Sequence, residues 1–383
     1  MTLRSIELFA GAGGLATGVQ QAGFSHELVS EWDPQACKTL RANLPRPDYV
    51  VECDIRGLGF APWRGKIDLL AGGPPCQPFS LGGKHRGQLD PRDMFPEMIR
   101  AVREIQPKAV LIENVRGLLR PAFSTYFRYI ELQLRFPDVV AHRHETWMSH
   151  LARLEQHETS GDDTGLRYHT VVRILNAADY GIPQRRHRVF IVGFRADLGI
   201  EWNFPAETHS EATLQYEQGV TGSYWDRHAV AVPPMLTNLN FEEIVRPTAL
   251  PWRTVRDAIG DLPSPQPGGF DETGFAHILV PGARSYPGHT GSPWDEPAKT
   301  LKAGVHGVPG GENTLRLSDG AVRYFSVREA ARIQTFPDTY KFTSSWTESM
   351  RQIGNAVPVE LARQIAVSIR VALVGDVGVR NLA

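Results

Sequence analysis

The chain has 383 residues, which is too long for a domain with one small core and suits one large domain plus a smaller one. With 22% charged and 42% hydrophobic residues it resembles an ordinary soluble protein, and neither a membrane span nor a signal peptide is visible, so we expect a cytoplasmic protein. The net charge of −1 gives no global nucleic-acid signature, and the odd cysteine count (Cys37, Cys53, Cys76) favours free thiols over disulfides.

Short apolar runs alternate with helix-like stretches through the first half of the chain. This pattern predicts an α/β fold with a Rossmann-like, doubly wound and mostly parallel sheet. The predicted strands cover residues 4–9, 26–31, 50–54, 67–71, 109–113 and 188–194. Helices are predicted to begin near Leu15 and at the pair Asp33 and Pro34. The polar, histidine-containing stretch 142–169 is predicted to be a surface insertion.

The character of the sequence changes from about residue 196 to residue 321. Prolines and glycines become dense, helical periodicity disappears, and acidic residues outnumber basic ones. We therefore predict a smaller, loop- and strand-rich domain over 196–321. A helical pattern returns at 326–334, and a closing helix is predicted over 358–374 with Pro358 in its first turn. The larger domain is predicted to combine 1–195 with 322–383.

A glycine-rich segment follows the first predicted strand and reads Phe-Ala-Gly-Ala-Gly-Gly-Leu at residues 9–15. Such a loop lets the backbone approach a ligand at a helix N-terminus, but it also fits a dinucleotide fingerprint or a plain tight turn. Glu31, at the end of the second strand, can accept hydrogen bonds from ribose hydroxyls. Trp32 can stack on an adenine, whose amino group Asp54 can bind.

A second segment, 72–80, reads Gly-Gly-Pro-Pro-Cys-Gln-Pro-Phe-Ser directly after a predicted strand. Ligands of open α/β sheets collect at that end of the strands. Cys76 has proline, glycine and polar neighbours, which cannot be core packing, whereas Cys37 and Cys53 are interpreted as core thiols. A thiolate nucleophile needs nearby positive charge, for which Lys84, Arg86, Arg92 and the basic run 185–188 are candidates.

The segment 72–80 resembles the nucleophile motif of the DNA cytosine-5 methyltransferase family. Further motifs of that family follow in its order: the loop 9–15, Glu-Trp at 31–32, Asp-Ile at 54–55, Glu-Asn-Val at 113–115, Gln-Arg-Arg-His-Arg at 184–188, 328–337 and 354–358. The resemblance covers 4–195 and 322–375. The region 196–321 matches only in position and in the pair Thr300 and Leu301, typical of target recognition domains.

The resemblance implies S-adenosylmethionine as methyl donor and double-stranded DNA as partner, with no metal. The cofactor contacts it implies are Phe9, Ala10, Gly11, Gly13, Gly14, Leu15, Glu31, Trp32, Asp54, Ile55, Gly73, Pro75, Asn355 and Ala356. The DNA contacts it implies are Gln77, Ser80, Lys84, Arg86, Arg92 and Thr300. We further expect a protein that acts as a monomer, in a restriction-modification or phage-defence setting.

The chemistry requires a covalent step, because C5 of cytosine is too weak a nucleophile to take a methyl group directly. Attack of Cys76 on C6 activates C5, and Glu113 can protonate or hydrogen-bond N3 and the exocyclic amine. Arg188 and Arg186 are predicted to stabilise the O2 side and to point together, because residues i and i+2 share a face. The target base must leave the duplex, and the basic stretch 81–93 suits a loop that closes on DNA.

Three alternatives remain open at this point. A tRNA cytosine-5 methyltransferase is less favoured because its Cys-Phe-Thr signature is absent before residue 328. An NAD-linked oxidoreductase leaves Cys76, Glu113 and the 184–188 motif unexplained, and a catalytically silent relative is at odds with the intact Cys76 and Glu113. His142, His144, His150, His157 and His169 lack partners at ligand spacing, so they are interpreted as solvated surface residues rather than metal ligands.

Overall fold

The computed structural model describes residues 2–75, 93–161, 164–233, 247–268, 275–287, 290–303 and 313–380. The chain forms two compact units. The first contains Met1–Leu175, His187–Pro205 and Ala362–Ala383, and the second contains Asn176–Arg186 and Ala206–Leu361. Among the described residues, no helix is long and apolar enough to cross a membrane.

A seven-stranded sheet forms the centre of the first unit. Its strands are β1 (Leu3–Leu8), β2 (Phe24–Glu31), β3 (Val50–Glu52), β4 (Leu69–Gly72), β5 (Ala109–Val115), β6 (Tyr168–Asn176) and β7 (His187–Arg195). They lie in the order β3-β2-β1-β4-β5-β7-β6. Strands β1 to β5 pair in parallel, and β7 runs antiparallel to β5. The predicted mostly parallel sheet is confirmed, while β6 was not predicted.

Helices cover the sheet of the first unit: α1 (Gly14–Gln21), α2 (Pro34–Asn43), α3 (Phe95–Ile105), α4 (Ser124–Arg135) and α5 (Trp147–Ser160). Helix α2 begins where the sequence predicted, because Asp33 accepts hydrogen bonds from the main-chain N–H groups of Gln35 and Ala36. The even positions of β1, Ile6 and Leu8, join the main core with side chains of α3 and β5. This core holds the ends of β1, β4 and β5 in fixed positions.

The stretch 142–169 is more than a surface insertion. Helix α5 buries Leu151 and Leu154 against Leu132 of α4. His150, predicted to be solvated, is only 2% exposed. Its two ring nitrogens lie 2.8 Å from the Tyr129 hydroxyl and 2.8 Å from the Val139 carbonyl oxygen. The prediction for His150 was wrong because its partners lie in α4 and in the chain that follows α4, which a local polar pattern does not reveal.

The second unit contains short elements. Its helices are α6 (Glu211–Tyr216), α7 (Ser223–His228), α8 (Val255–Ile259), α9 (Val327–Ile333) and α10 (Trp346–Asn355), and α11 (Val359–Arg380) continues from it into the first unit. Its strands pair as β8 (His209–Ser210) with β9 (Leu250–Pro251) and β10 (Thr314–Arg316) with β11 (Val322–Tyr324). Helices α6 to α8 were not expected, because helices of five or six residues are too short to show a period.

The unit boundaries differ from the predicted ones mainly at residues 322–361, which lie in the second unit. Helix α9 begins close to its predicted start through a capping box between Ser326 and Glu329. Its C-cap residue Gln334 donates a hydrogen bond to the Ile353 carbonyl (2.7 Å), which ties this segment to the end of α10. Contacts of this kind, rather than composition, determine which unit the segment joins.

Candidate active site

The candidate site lies along one edge of the sheet in the first unit. The parallel strands β1, β2, β4 and β5 all end at this edge, so the residues that follow them are neighbours. Strand β7 runs the opposite way and therefore begins there, with Arg188 opposite Val115 of β5. The topology thus brings the glycine-rich loop, the segment 73–75, Glu113 and Arg188 to one edge.

The glycine-rich loop turns sharply between β1 and α1. Phe9, Gly11 and Gly13 have φ values of 58°, 55° and 80°, which lie in the left-handed region. The loop is closed by a hydrogen bond from the Gly13 N–H to the Ala10 carbonyl (2.9 Å). A Cβ built on Gly11 would meet no atom within 4 Å, so the backbone is open to a ligand on that side. Helix α1 starts at Gly14 without a side-chain cap, which leaves its N-terminal N–H groups for an incoming acceptor.

The Glu31 carboxylate fixes the neighbouring loop. Its Oε2 accepts a hydrogen bond from Gly11 N–H (2.7 Å), and its Oε1 accepts from Trp32 (2.8 Å) and Asp33 (2.9 Å). A carboxylate has about four acceptor positions, so three backbone bonds leave capacity for a ribose hydroxyl. The Trp32 side chain is 74% exposed and available for stacking on a purine. These residues fit the adenosyl part of S-adenosylmethionine.

Asp54 and Ile55 differ from each other. Ile55 is buried in the main core. Asp54 is exposed and forms an ion pair with Arg56 (2.6 Å), and this hydrogen bonding lowers the pKa of Asp54. An adenine amino group would therefore share this carboxylate with Arg56.

A buried histidine supports the helix of the glycine-rich loop. His26 of β2 is 2% exposed, with Nδ1 2.9 Å from the Ser5 hydroxyl and Nε2 2.9 Å from the Ala16 carbonyl oxygen. Because a carbonyl oxygen only accepts, Nε2–H must donate to Ala16 and Nδ1 must accept from Ser5. Burial lowers the pKa of His26 to about 4, so the ring is neutral at physiological pH.

Glu113 and Arg188 form the charged centre of the site. Glu113 is 8% exposed, and its Oε1 lies 2.9 Å from Nε of Arg188. Burial lowers the pKa of Arg188 below its usual range, an effect that the neighbouring carboxylate of Glu113 opposes. A Cβ on Gly73 would lie only 3.3 Å from Oε2 of Glu113, so a glycine here lets the segment 73–75 pass close to the carboxylate. The segment that precedes Cys76 is therefore in contact with this ion pair.

Asn114 anchors the same segment, a role the sequence analysis missed although the motif Glu-Asn-Val contains it. Its Nδ2 donates to the Pro74 carbonyl (3.0 Å), and its Oδ1 accepts from Val115 N–H (2.9 Å). The Met94 N–H donates to the Pro75 carbonyl (3.4 Å), so Pro75 and Met94 lie side by side. The predicted residues Cys76, Gln77, Ser80, Lys84, Arg86 and Arg92 lie outside the described residues.

Arg186 belongs to the second unit and contacts main chain. It is 0% exposed and donates to the carbonyls of Leu301 (3.0 Å), Gly354 (2.7 Å) and Ala356 (3.0 Å). A Cβ on Gly354 would lie 2.5 Å from the main chain of Lys302, so this position requires glycine. Arg186 precedes β7, and the inference that it shares a strand face with Arg188 does not describe its observed contacts.

Neighbouring residues of the second unit complete this arrangement. Gln184 Nε2 donates to Gln334 Oε1 (3.0 Å), and its Oε1 accepts from Leu301 N–H (3.0 Å). The Thr300 hydroxyl, predicted to contact DNA, donates to the Arg185 carbonyl (2.7 Å). Asn355 is exposed, whereas Ala356 is buried and supplies the carbonyl bound by Arg186.

The two described thiols are poor nucleophiles. Burial raises the pKa of Cys37 to about 12, and its Sγ donates to the Glu31 carbonyl (3.4 Å). Burial also raises the pKa of Cys53. In the part of the chain that the structure describes, no cluster of histidine, cysteine and acidic side chains is suited to hold a metal.

The mostly parallel sheet, with a glycine-rich loop after β1 and an acidic residue ending β2, has the architecture of a class I methyltransferase. The family model of the C-5 cytosine-specific DNA methylases matches residues 3–136 and 152–370. The chain belongs to this family and is a DNA cytosine-5 methyltransferase. The family model does not match residues 137–151 but does match 152–169. Only the first part of the predicted insertion 142–169 therefore falls outside the family pattern.

Several known proteins are similar over nearly the whole chain. The Type II methyltransferase M.Eco47II of Escherichia coli is 35% identical over 95% of this chain and 78% of its own length. M.NgoMIV of Neisseria gonorrhoeae is 34% identical over 97% of this chain and 99% of its own length. A solved structure of a putative DNA modification methyltransferase, encoded within an E. coli prophage, superposes with a TM-score of 0.59 at 24% identity, covering 97% and 99% of the two chains. The last likeness shows the fold alone.

Proposed function

We propose that this protein transfers a methyl group from S-adenosylmethionine to C5 of a flipped-out cytosine in a specific duplex DNA sequence, through a covalent bond between Cys76 and C6. The observation that carries the proposal is the Glu113–Arg188 ion pair in contact with Gly73, three residues before Cys76. A carboxylate and a guanidinium at this position match the two polar edges of a cytosine ring.

The cofactor, when bound, supplies an electrophilic methyl group on a sulfonium. We propose that the loop 9–15 and the N-terminus of α1 bind it, with Glu31 accepting a bond from a ribose hydroxyl. Trp32 stacks on the adenine, Asp54 accepts from its amino group and Ile55 shapes the adjoining core surface. Gly73, Pro75, Asn355 and Ala356 complete the predicted contacts.

Charge moves through the site during the reaction. Attack of the Cys76 thiolate on C6 pushes an electron pair through the ring towards N3 and O2. Glu113 takes up a proton from water as Arg188 turns from it to O2, and it donates that proton to N3, while Arg188 stabilises the charge at O2. The incoming base thus replaces one partner of the ion pair, because Arg188 exchanges Glu113 for O2. C5 would then displace the methyl group from the sulfonium, whose remaining part leaves as a neutral thioether. N3 returns its proton to Glu113, a base removes the C5 proton, and the electron pair of that C–H bond expels Cys76 from C6 as a thiolate.

The substrate arrangement follows from the chemistry. C5 and C6 are covered by stacking in a duplex, so the cytosine must swing out of the helix to reach Glu113. We propose that Gln77, Ser80, Lys84, Arg86 and Arg92 contact DNA, and that residues 196–321 supply target recognition. Thr300 and Arg186 support this region through main-chain bonds rather than by touching the base.

The relatives M.Eco47II and M.NgoMIV are named Type II methyltransferases. By analogy we propose that this chain modifies DNA within a restriction-modification system, in the cytoplasm of a bacterium or archaeon, and acts as a monomer. The tRNA reading is the alternative, and it is tested by offering both nucleic acids.

Tritium transfer from labelled S-adenosylmethionine tests the proposal, with duplex DNA in one reaction and tRNA in another. The wild type is expected to label DNA alone, and Cys76→Ser to lose labelling while it still binds the cofactor, because an alcohol lacks the nucleophilicity of a thiolate. Cys53→Ser serves as the matched cysteine control and should keep its activity. Duplex DNA with 5-fluorocytosine at the target should trap wild-type enzyme covalently. Full turnover by Cys76→Ser would exclude the covalent mechanism.

A further inference from the structure

Two arginines follow the candidate active site in the chain. Strand β5 ends at Val115, two residues after Glu113, and a 3-10 helix spans Arg116–Leu119. Arg120 follows this helix directly. Both arginines therefore lie at the sheet edge that carries the Glu113–Arg188 ion pair.

The backbone of this turn is held firmly. Leu118 is 0% exposed and belongs to the main core. Arg120 N–H donates to the Gly117 carbonyl (3.2 Å), and Phe123 N–H donates to the Arg120 carbonyl (2.8 Å). A rigid turn gives its side chains defined origins, which reduces the entropy lost when they bind a ligand.

The two guanidinium groups are free of internal partners. Arg116 is exposed and Arg120 half-buried, and within the described ranges neither forms a side-chain hydrogen bond, an ion pair or a contact with a ring. Other arginines of the same unit are neutralised by carboxylates: Arg100 by Glu97, Arg128 and Arg135 by Glu158, Arg153 by Glu145, and Arg195 by Asp197. Arg116 and Arg120 thus carry uncompensated charge beside the reaction site, as Arg64 does at the opposite edge of the sheet.

The charge balance at the site indicates the ligand. Glu113 neutralises Arg188, so Arg116 and Arg120 add uncompensated positive charge next to this ion pair. Guanidinium groups bind phosphate oxygens in a bidentate geometry, and two of them on one turn suit an acceptor that repeats. A nucleic-acid backbone is such an acceptor.

We propose that Arg116 and Arg120 bind backbone phosphates of the DNA beside the target cytosine. These contacts read no sequence and instead fix the DNA backbone so that the extruded base reaches Glu113. The inference rests on the proposed function and adds two phosphate-binding residues to it.

Salt dependence of DNA binding tests the assignment, because each phosphate contact contributes about −0.9 to the slope of log K against log salt. Arg116→Ala with Arg120→Ala should reduce the slope by about two. When the salt concentration rises from about 50 to 200 mM, the double variant should therefore lose roughly tenfold less DNA affinity than the wild type loses. The conservative change of both residues to lysine should restore most of the slope. Arg64→Ala is the matched control: Arg64 is exposed, has no partner among the described residues, and precedes β4 at the opposite edge of the sheet.

The outcomes separate this inference from the proposed function. If the wild type methylates DNA and the double alanine variant shows the wild-type slope of log K against log salt, the inference is overturned and the proposed function stands. Weaker binding of S-adenosylmethionine with normal DNA binding would also overturn it, by assigning the arginines to the cofactor. A wild type that neither binds nor methylates DNA would instead remove the proposed function.

Discussion

Arg186 and Arg188 stand two residues apart in one motif, yet they belong to different compact units and have different partners. Arg186 is fully buried and binds three main-chain carbonyls of the second unit. Arg188 binds one carboxylate at the sheet edge of the first. A guanidinium that binds three rigid carbonyls cannot turn to a substrate without breaking all three bonds. One that holds a single carboxylate can exchange that partner for an oxygen of comparable charge.

The comparison suggests two roles within the motif 184–188: Arg188 is available to a substrate, whereas Gln184 and Arg186 stabilise the fold. Gln184 and Arg186 connect the segment 176–186 to Leu301 and to the Gly354–Ala356 turn. Their bonds depend on geometry, so their loss should lower stability. Arg188 and Glu113 depend on charge, so their loss should lower the rate. Four predictions test this division.

The largest effect is expected for Glu113→Gln. The amide is nearly isosteric but cannot donate a proton to N3, so turnover should fall by about 10²- to 10⁴-fold. DNA affinity should change far less, because phosphate contacts provide most of it. Single-turnover rates and the free energy of unfolding are to be measured together. An unchanged single-turnover rate would leave Arg188 as the sole group that activates the ring.

Arg186→Met should act on stability instead. Methionine fills similar space but removes the donor of the Leu301 and Gly354 carbonyls, whereas Ala356 keeps its bond from Gln334 (3.0 Å), and the loss should cost about 4 kcal/mol in the free energy of unfolding. Arg185→Met is the matched control: Arg185 forms partly exposed ion pairs with Glu211 and Glu296, so its loss should cost about 1 kcal/mol or less. Denaturant unfolding of both variants checks the difference. Equal losses would contradict the structural role given to Arg186.

His26 extends the comparison to a buried side chain whose two hydrogen bonds, with Ser5 and Ala16, are formed by the neutral ring. Its folded-state pKa is about 4, below the ordinary value of 6.5, so between these values the unfolded chain holds a proton that the folded chain does not. Stability is therefore complete above pH 6.5 and falls as the pH is lowered towards 4, by about 3 kcal/mol. Unfolding free energies measured from pH 4 to pH 8 should show this slope, and His26→Gln should lack it. Identical slopes in both proteins would rule out His26 as the titrating group.

Asn114→Ala should produce the smallest change. It removes the bonds to Pro74 and Val115, which should cost about 2 kcal/mol of stability. Turnover should fall as well, because Pro74 and Pro75 carry the chain into Cys76. Asn43→Ala is the control, since Asn43 donates to the Thr39 carbonyl on α2, away from the segment 73–75. Loss of stability without loss of turnover would show that the anchor supports the fold alone.

The sequence allowed the sheet to be predicted because local patterns decide its strands. The predicted strand 4–9 corresponds to β1 at Leu3–Leu8, and Asp33 marks the start of α2 as expected. The order of the motifs also placed the glycine-rich loop, Glu113 and Arg188 at one edge of a parallel sheet.

What could not be predicted depends on partners distant in the chain. Arg186 meets Leu301 and Gly354, which lie 115 and 168 residues further on, so no local pattern reveals whether its guanidinium faces substrate or main chain. The same holds for His150, whose partners are Tyr129 in α4 and Val139 in the chain that follows α4. A polar side chain in sequence indicates a need for hydrogen bonds, and only the fold decides who supplies them.

The hydrogen bond between Met94 and Pro75 has a consequence in the terms of polymer statistics. It brings residues 75 and 94 together, and the entropy of closing a flexible chain between two such points grows only with the logarithm of the chain's length, by about 0.6 kcal/mol for each doubling. Insertions late in the chain between them therefore cost the fold little. Cys76 follows directly after the anchored Pro75 in the sequence. The point at which the nucleophile joins the fold therefore does not depend on how many residues follow it before Met94. The length of chain between Pro75 and Met94 can thus change without moving the anchor that precedes Cys76.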